Sequence, residues 1–112
     1  MDAPTARSTK TLPSDPSTAD LLAFYESTYL QKNPEIFTPS TAQKAALLVE
    51  VTAAHAFPGC RLLEIGCGHG VLLDMMGRAW GARSLVGLDI SGTMLRRGRE
   101  IFPKIHFLQA DD

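Results

Sequence analysis

The sequence predicts an α/β fold built on a parallel sheet, and three observations carry that prediction. Two short apolar runs, Arg61-Leu62-Leu63-Glu64-Ile65 and Ser84-Leu85-Val86-Gly87-Leu88, are each stopped by turn residues, as buried strands are. Between them Leu72, Leu73, Met75, Met76, Ala79 and Trp80 fall on one broad face at helical spacing. The pattern then repeats, with a second helical stretch and a further short run from Ile105 to Gln109. Short strands separated by helices pair in parallel through right-handed crossovers.

Size and charge bound the rest. A chain of 112 residues fits one small domain and excludes a two-domain enzyme. With 45% hydrophobic and 21% charged residues it excludes disorder throughout and a fibrous repeat. Eleven Lys plus Arg against twelve Asp plus Glu leave a net charge of -1, too weak a field to hold nucleic acid or an anionic membrane unaided. No apolar run approaches the roughly 18 residues of a membrane span. Partners must therefore be argued from a site: a small-molecule substrate is expected, no membrane is, nucleic acid is disfavoured without being excluded, and nothing in the sequence decides the oligomeric state. Cys60 and Cys67, the two cysteines, read as thiols in a reducing compartment, the cytoplasm.

Taken in order, residues 1–17 are dominated by Ser, Thr, Pro, Ala and Asp and cannot bury enough apolar surface to offset the cost of ordering, so a flexible tail is expected. The tail has no apolar stretch of the kind a secretory signal needs. Arg7 and Lys10 hint at a transit peptide, but Asp2 and Asp15 oppose it. Residues 18–59 form a helical segment. Leu21, Leu22, Tyr25, Thr28 and Tyr29 recur at helical spacing behind Ser17 and Thr18, giving a helix over about Ala19 to Gln31. Asn33-Pro34 and Thr38-Pro39 interrupt the chain, because the residue before proline is pushed out of the helical region. Ser40-Thr41-Ala42-Gln43 has capping-box spacing and predicts a helix start, with Leu47, Leu48, Val51, Ala54 and His55 as its apolar stripe. Phe57-Pro58-Gly59 ends that helix.

Residues 60–112 carry the strand-helix alternation. Gly81 stands where the first helix needs a C-terminal cap. The second helix, about Thr93 to Ile101, is capped by Ser91 and stopped before Pro103.

The chemistry concentrates in Glu64-Ile65-Gly66-Cys67-Gly68-His69-Gly70, at the junction of the first strand and its helix. Three alternate glycines let the backbone turn tightly and let a ligand approach amides that a Cβ would shield. A dinucleotide fingerprint would need its third glycine at Val71, and Glu64 would repel a pyrophosphate at this helix N-terminus. A zwitterionic or cationic ligand suits the loop better. Asp89, at the end of the second strand and nineteen positions after Gly70, is placed to accept hydrogen bonds from ribose hydroxyls. By itself an Asp before Ser-Gly is equally a turn former. Asp111 follows the third strand, so Glu64, Asp89 and Asp111 share the carboxyl edge of the sheet, where open α/β sheets bind ligands.

These residues resemble the class I S-adenosylmethionine-dependent methyltransferases. LLEIGCGHG is similar to their first motif, GLDIS to their second and FLQADD to the start of their third. The resemblance covers about residues 61 to 112 and implies the first half of a Rossmann-like three-layer sandwich: three parallel strands with their helices, preceded by N-terminal helices. It implies S-adenosylmethionine as cofactor. Glu64, Gly66, Cys67, Gly68 and Gly70 would then hold the methionine part, Asp89 the ribose diol, and Asp111 and Asp112 the adenine amino group. Ile90 would lie against the adenine face, although an apolar residue there serves ordinary packing equally well. In the family a fourth strand pairs with the first, so the expectation is a fragment holding the cofactor half, with the first strand as a bare edge and catalytic residues unassigned.

Other residues read more simply. His69 contributes its amide more than its ring. His55 and His106 lack the spacing of a zinc site, and no metal site is expected. Arg96, Arg97 and Arg99 read as a solvated helix face. Two alternatives stay open: a nicotinamide-dependent oxidoreductase, supported by the architecture alone, and a non-catalytic or truncated cofactor-binding protein.

Overall fold

In the computed structural model the described residues are 18–25, 27–28, 39–55 and 57–110. The expected tail over 1–17 and the candidates Asp111 and Asp112 lie outside them. Helix α1 is Thr18–Tyr25, and α2 is Pro39–Thr52, continued by a turn of 3-10 helix over Ala53–His55. Then come β1 (Arg61–Ile65), α3 (Val71–Trp80), β2 (Ser84–Asp89), α4 (Gly92–Ile101) and β3 (His106–Gln109). The three strands form one parallel sheet in the order β1-β2-β3, the α/β arrangement that the alternation predicts.

Two expectations for α2 need correcting. The helix starts at Pro39, so Ser40 lies inside it and is not its cap. Proline has no N–H to leave unsatisfied and its fixed φ suits a first turn. The predicted stripe of Leu47, Leu48, Val51, Ala54 and His55 is also not the buried face. Ala45 is fully buried and Val49 packs on the core, whereas Leu47, Val51, Ala54 and His55 are exposed. Apolar residues surround this helix, so periodicity alone could not select a face. Packing against α3 selected the side with the smallest side chain.

The remaining boundaries follow their local chemistry. Gly81 caps α3 in the left-handed conformation at φ 64°, donating its N–H to the Gly77 carbonyl. The Ser91 hydroxyl accepts from the Met94 amide at 3.2 Å, which starts α4 as predicted. Arg78 of α3 pairs with Asp74 at 2.8 Å and lies 4.7 Å from the centroid of the Phe24 ring, joining α1 to α3.

The pleat decides which strand residues meet the helices. Pairings Leu62↔Leu85, Glu64↔Gly87 and Gly87↔Phe107 put these residues on one face. A Cβ on Gly77 of α3 would lie 2.7 Å from Leu85, and one on Gly98 of α4 would lie 2.7 Å from Phe107, so both helices cover that same face. Leu73, Met75, Leu95, Phe102, Ile105 and Phe107 form the core between them. Leu63, Ile65 and Leu108 point from the opposite face and are exposed, Ile65 to 80%.

Candidate functional site

The site lies at the carboxyl ends of β1 and β2. Leaving β1, the chain turns through Gly66 to Gly70, and the amides of Gly66 and Cys67 both donate to the Leu88 carbonyl at 2.7 and 2.9 Å. The loop is thereby tied to the end of β2. At Gly70 the requirement for glycine is double: φ is 92°, and a Cβ would stand 2.8 Å from the Phe107 ring. Gly68, at φ 57°, has more room, with Met94 Cε 3.6 Å from where a Cβ would be, and its amide donates to Asp89 Oδ2 at 2.9 Å.

Asp89 is held by three amides. Besides the Gly68 bond, its Oδ1 accepts from Ile90 at 2.8 Å and from Ser91 at 3.4 Å. A carboxylate offers about four acceptor positions, so one direction stays open, and a second ligand hydroxyl would share or displace the Gly68 amide. The turn-forming role of Asp89 therefore leaves room for a ligand-facing one.

Glu64 has no such support. It shares the helix-packed face with Leu62 and Gly87, and its Oε1 is buried without a hydrogen-bond partner. Burial first, and the nearby Asp89 charge second, push its pKa from an ordinary 4.5 up to about 7. This is the arrangement that a cationic donor would relieve.

Cys67 behaves differently from what a helix N-terminus would suggest. Burial, then Glu64 and Asp89, push its thiol up to about 11, so it is a neutral group and no nucleophile. Its Sγ packs toward β2, 2.6 Å from where a Cβ on Gly87 would stand.

Of the predicted residues, the structure thus gathers Glu64, Gly66, Cys67, Gly68, Gly70 and Asp89. Ile90 is 61% exposed, so ordinary packing does not explain it. Ala110 donates to the Asp89 carbonyl at 2.9 Å, and β3 therefore runs alongside β2 to the same edge. Among the described residues no group of three His, Cys, Asp or Glu could hold a metal, and no helix is long and apolar enough to cross a membrane. Arg97 pairs with Glu100 at 3.0 Å and Arg99 donates to the Phe107 carbonyl at 3.0 Å, so both serve α4 and its packing.

One part of the site was not legible beforehand. A cavity of about 360 Å³ opens between α2 and the glycine loop, lined by Thr41, Lys44, Gly68, His69, Leu72 and Met94. Thr41 and Lys44 are three residues apart and so share a helix face, directed here because Ala45 is the residue that packs inward. No local pattern marks Lys44.

A glycine loop between a parallel strand and its helix, with a carboxylate at the end of each of two adjacent strands, is an arrangement with which open α/β domains bind nucleoside ligands. Residues 62–112 match the methyltransferase domain family, and the described fold is similar to that of S-adenosylmethionine-dependent methyltransferases. It is 35% identical over 51 residues to a trans-aconitate 2-methyltransferase from Afipia carboxidovorans, covering 46% of this chain and 20% of that protein. An Escherichia coli trans-aconitate 2-methyltransferase is 26% identical over 80 residues, covering 70% of this chain and 32% of its own length. Among solved structures, CalS10, an amino pentose methyltransferase from Micromonospora echinaspora with S-adenosylmethionine bound, superimposes with a TM-score of 0.55 at 25% identity. That match covers 78% of this chain and 34% of CalS10. The chain thus spans about a fifth to a third of the length of these relatives.

Proposed function

We propose that residues 60–112 are the cofactor half of a methyltransferase that transfers a methyl group from S-adenosylmethionine to a small-molecule acceptor, in the cytoplasm. The observation that carries this reading is the buried, unpartnered Oε1 of Glu64 beside a loop in which Gly66, Gly68 and Gly70 all take positive φ. The cofactor fits the donors and acceptors at hand. Glu64 would receive its ammonium group, the Gly66–Gly70 backbone would seat its methionine part, and the open acceptor position of Asp89 would take a ribose hydroxyl. Ile90 would lie against the adenine, with Asp111 and Asp112 beyond β3 as the remaining candidates. A phosphate-bearing dinucleotide fits less well, because Glu64 and Asp89 would both repel it.

When bound, the cofactor supplies an electrophilic methyl group on a sulfonium. The chain's own contribution is then to orient that group, since a direct displacement gains chiefly from alignment. The name shared by the relatives supports a carboxylic acid as acceptor.

Calorimetric titration of the full chain with S-adenosylhomocysteine tests the reading. Saturable binding is expected, and Asp89→Ala should weaken it about tenfold or more through loss of a charged hydrogen bond and of the loop anchor. A folded chain that ignores S-adenosylhomocysteine but enhances NADH fluorescence would overturn the reading in favour of a nicotinamide enzyme.

A further inference from the structure

The cavity beside the glycine loop has a charge character that the carboxylate cluster lacks. Lys44 is the charged side chain in its lining, joined by the hydroxyl of Thr41 and the ring of His69, over a floor that includes Leu72 and Met94. Gly68 belongs to both places, since its amide donates to Asp89 at 2.9 Å while the residue lines the cavity. An acidic region and a cation-bearing cavity thus meet across one glycine. Glu64 and Asp89 would expel an anion from their side, and Lys44 would hold one on the other.

We propose that this cavity is a carboxylate subsite, with Lys44 as its cationic recognition residue. The proposal rests on the methyltransferase reading above, which brings two carboxylates to this edge of the sheet. One is on the amino-acid end of the cofactor, whose ammonium group Glu64 would take. The other is on a carboxylic acid acceptor. Both sources present the same chemistry to Lys44 and Thr41, an anionic oxygen pair for an ammonium and a hydroxyl donor. Lys44 is itself exposed and belongs to no packed cluster, so its replacement leaves the core intact.

The test compares three probes by calorimetry on the full chain: S-adenosylhomocysteine, 5′-methylthioadenosine, which lacks the amino-acid end, and trans-aconitate added to the S-adenosylhomocysteine complex. Each is run on wild type, Lys44→Met and Lys44→Arg, with circular dichroism to check that the variants stay folded. The expected result is a loss of about tenfold in affinity in Lys44→Met for a carboxylate-bearing probe, with 5′-methylthioadenosine unaffected and Lys44→Arg largely restored. Loss confined to S-adenosylhomocysteine assigns the subsite to the cofactor, and loss confined to trans-aconitate assigns it to the acceptor. If Lys44→Met binds all three probes like wild type, the subsite does not exist. If neither nucleoside binds wild type while trans-aconitate binds in a Lys44-dependent way, the methyltransferase reading falls and the subsite stands. If nothing binds wild type, both fall.

Discussion

Glu64 and Asp89 are carboxylates on adjacent strand ends, yet they face opposite problems. Asp89 is surrounded by amides from the glycine loop and the turn before α4, whereas Glu64 is half-buried, with its Oε1 buried and unpartnered. The raised pKa of Glu64 makes stability pH-dependent in a defined sense. A carboxyl whose folded value lies above its unfolded value stabilises fully below the unfolded value, near 4.5, and loses that contribution as pH rises through about 7. Glu64 is part-exposed, so solvent screening reduces the size of the effect but not its sign. Glu64→Gln should therefore raise the melting temperature at pH 8 more than at pH 5. The same titration acts on binding. In wild type, affinity for S-adenosylhomocysteine should climb as pH rises through about 7, as Glu64 ionises and meets the ammonium group, and Glu64→Gln should flatten that rise. A flat wild-type profile in both melts and titrations would remove Glu64 from this role.

At the scale of elements, the chain's punctuation was legible wherever a boundary depends on one residue and its nearest neighbours. Ser91 is such a case, since its hydroxyl supplies an acceptor to a free amide in the first turn of α4. Ser91→Ala should cost about 1 kcal/mol in denaturant unfolding, and Ser91→Asp should keep most of it. An unchanged midpoint in Ser91→Ala would mean that solvent satisfies the Met94 amide equally well. Gly81 and the strand limits of β1 and β2 were legible for the same local reason. The inward face of α2 was not. Ala45, Leu48, Val49 and Val51 give it apolar residues on several sides, and the choice of Ala45 for the interior depends on how closely α3 approaches. That choice also turns Thr41 and Lys44 toward the glycine loop, and so produces a cavity that no linear pattern announces.

For the molecule as a whole, the sheet has unequal faces. Both α3 and α4 cover one, while Leu63, Ile65 and Leu108 lie open on the other, and among the described residues β1 is an edge strand. The full chain should enhance the fluorescence of 1-anilinonaphthalene-8-sulfonate and scatter light as its concentration rises. Leu63→Lys should reduce both while leaving S-adenosylhomocysteine affinity within about twofold, because position 63 faces away from the helix-packed side that holds Glu64. Absence of dye enhancement would mean that this face is covered in solution.

The sequence by itself determined the strand-helix alternation, the parallel sheet, the glycine loop and the identity of the acidic groups at the strand ends. Each of these depends on short-range periodicity or on the backbone conformations that glycine and proline allow. Only the tertiary structure decided that Asp89 is anchored by Gly68, that the Oε1 of Glu64 is left without a partner, that Cys67 is a neutral packing thiol, and that Lys44 opens onto the loop. Burial and charge at a site are sums over neighbours far apart in the chain, and those neighbours are chosen when helices settle on the sheet.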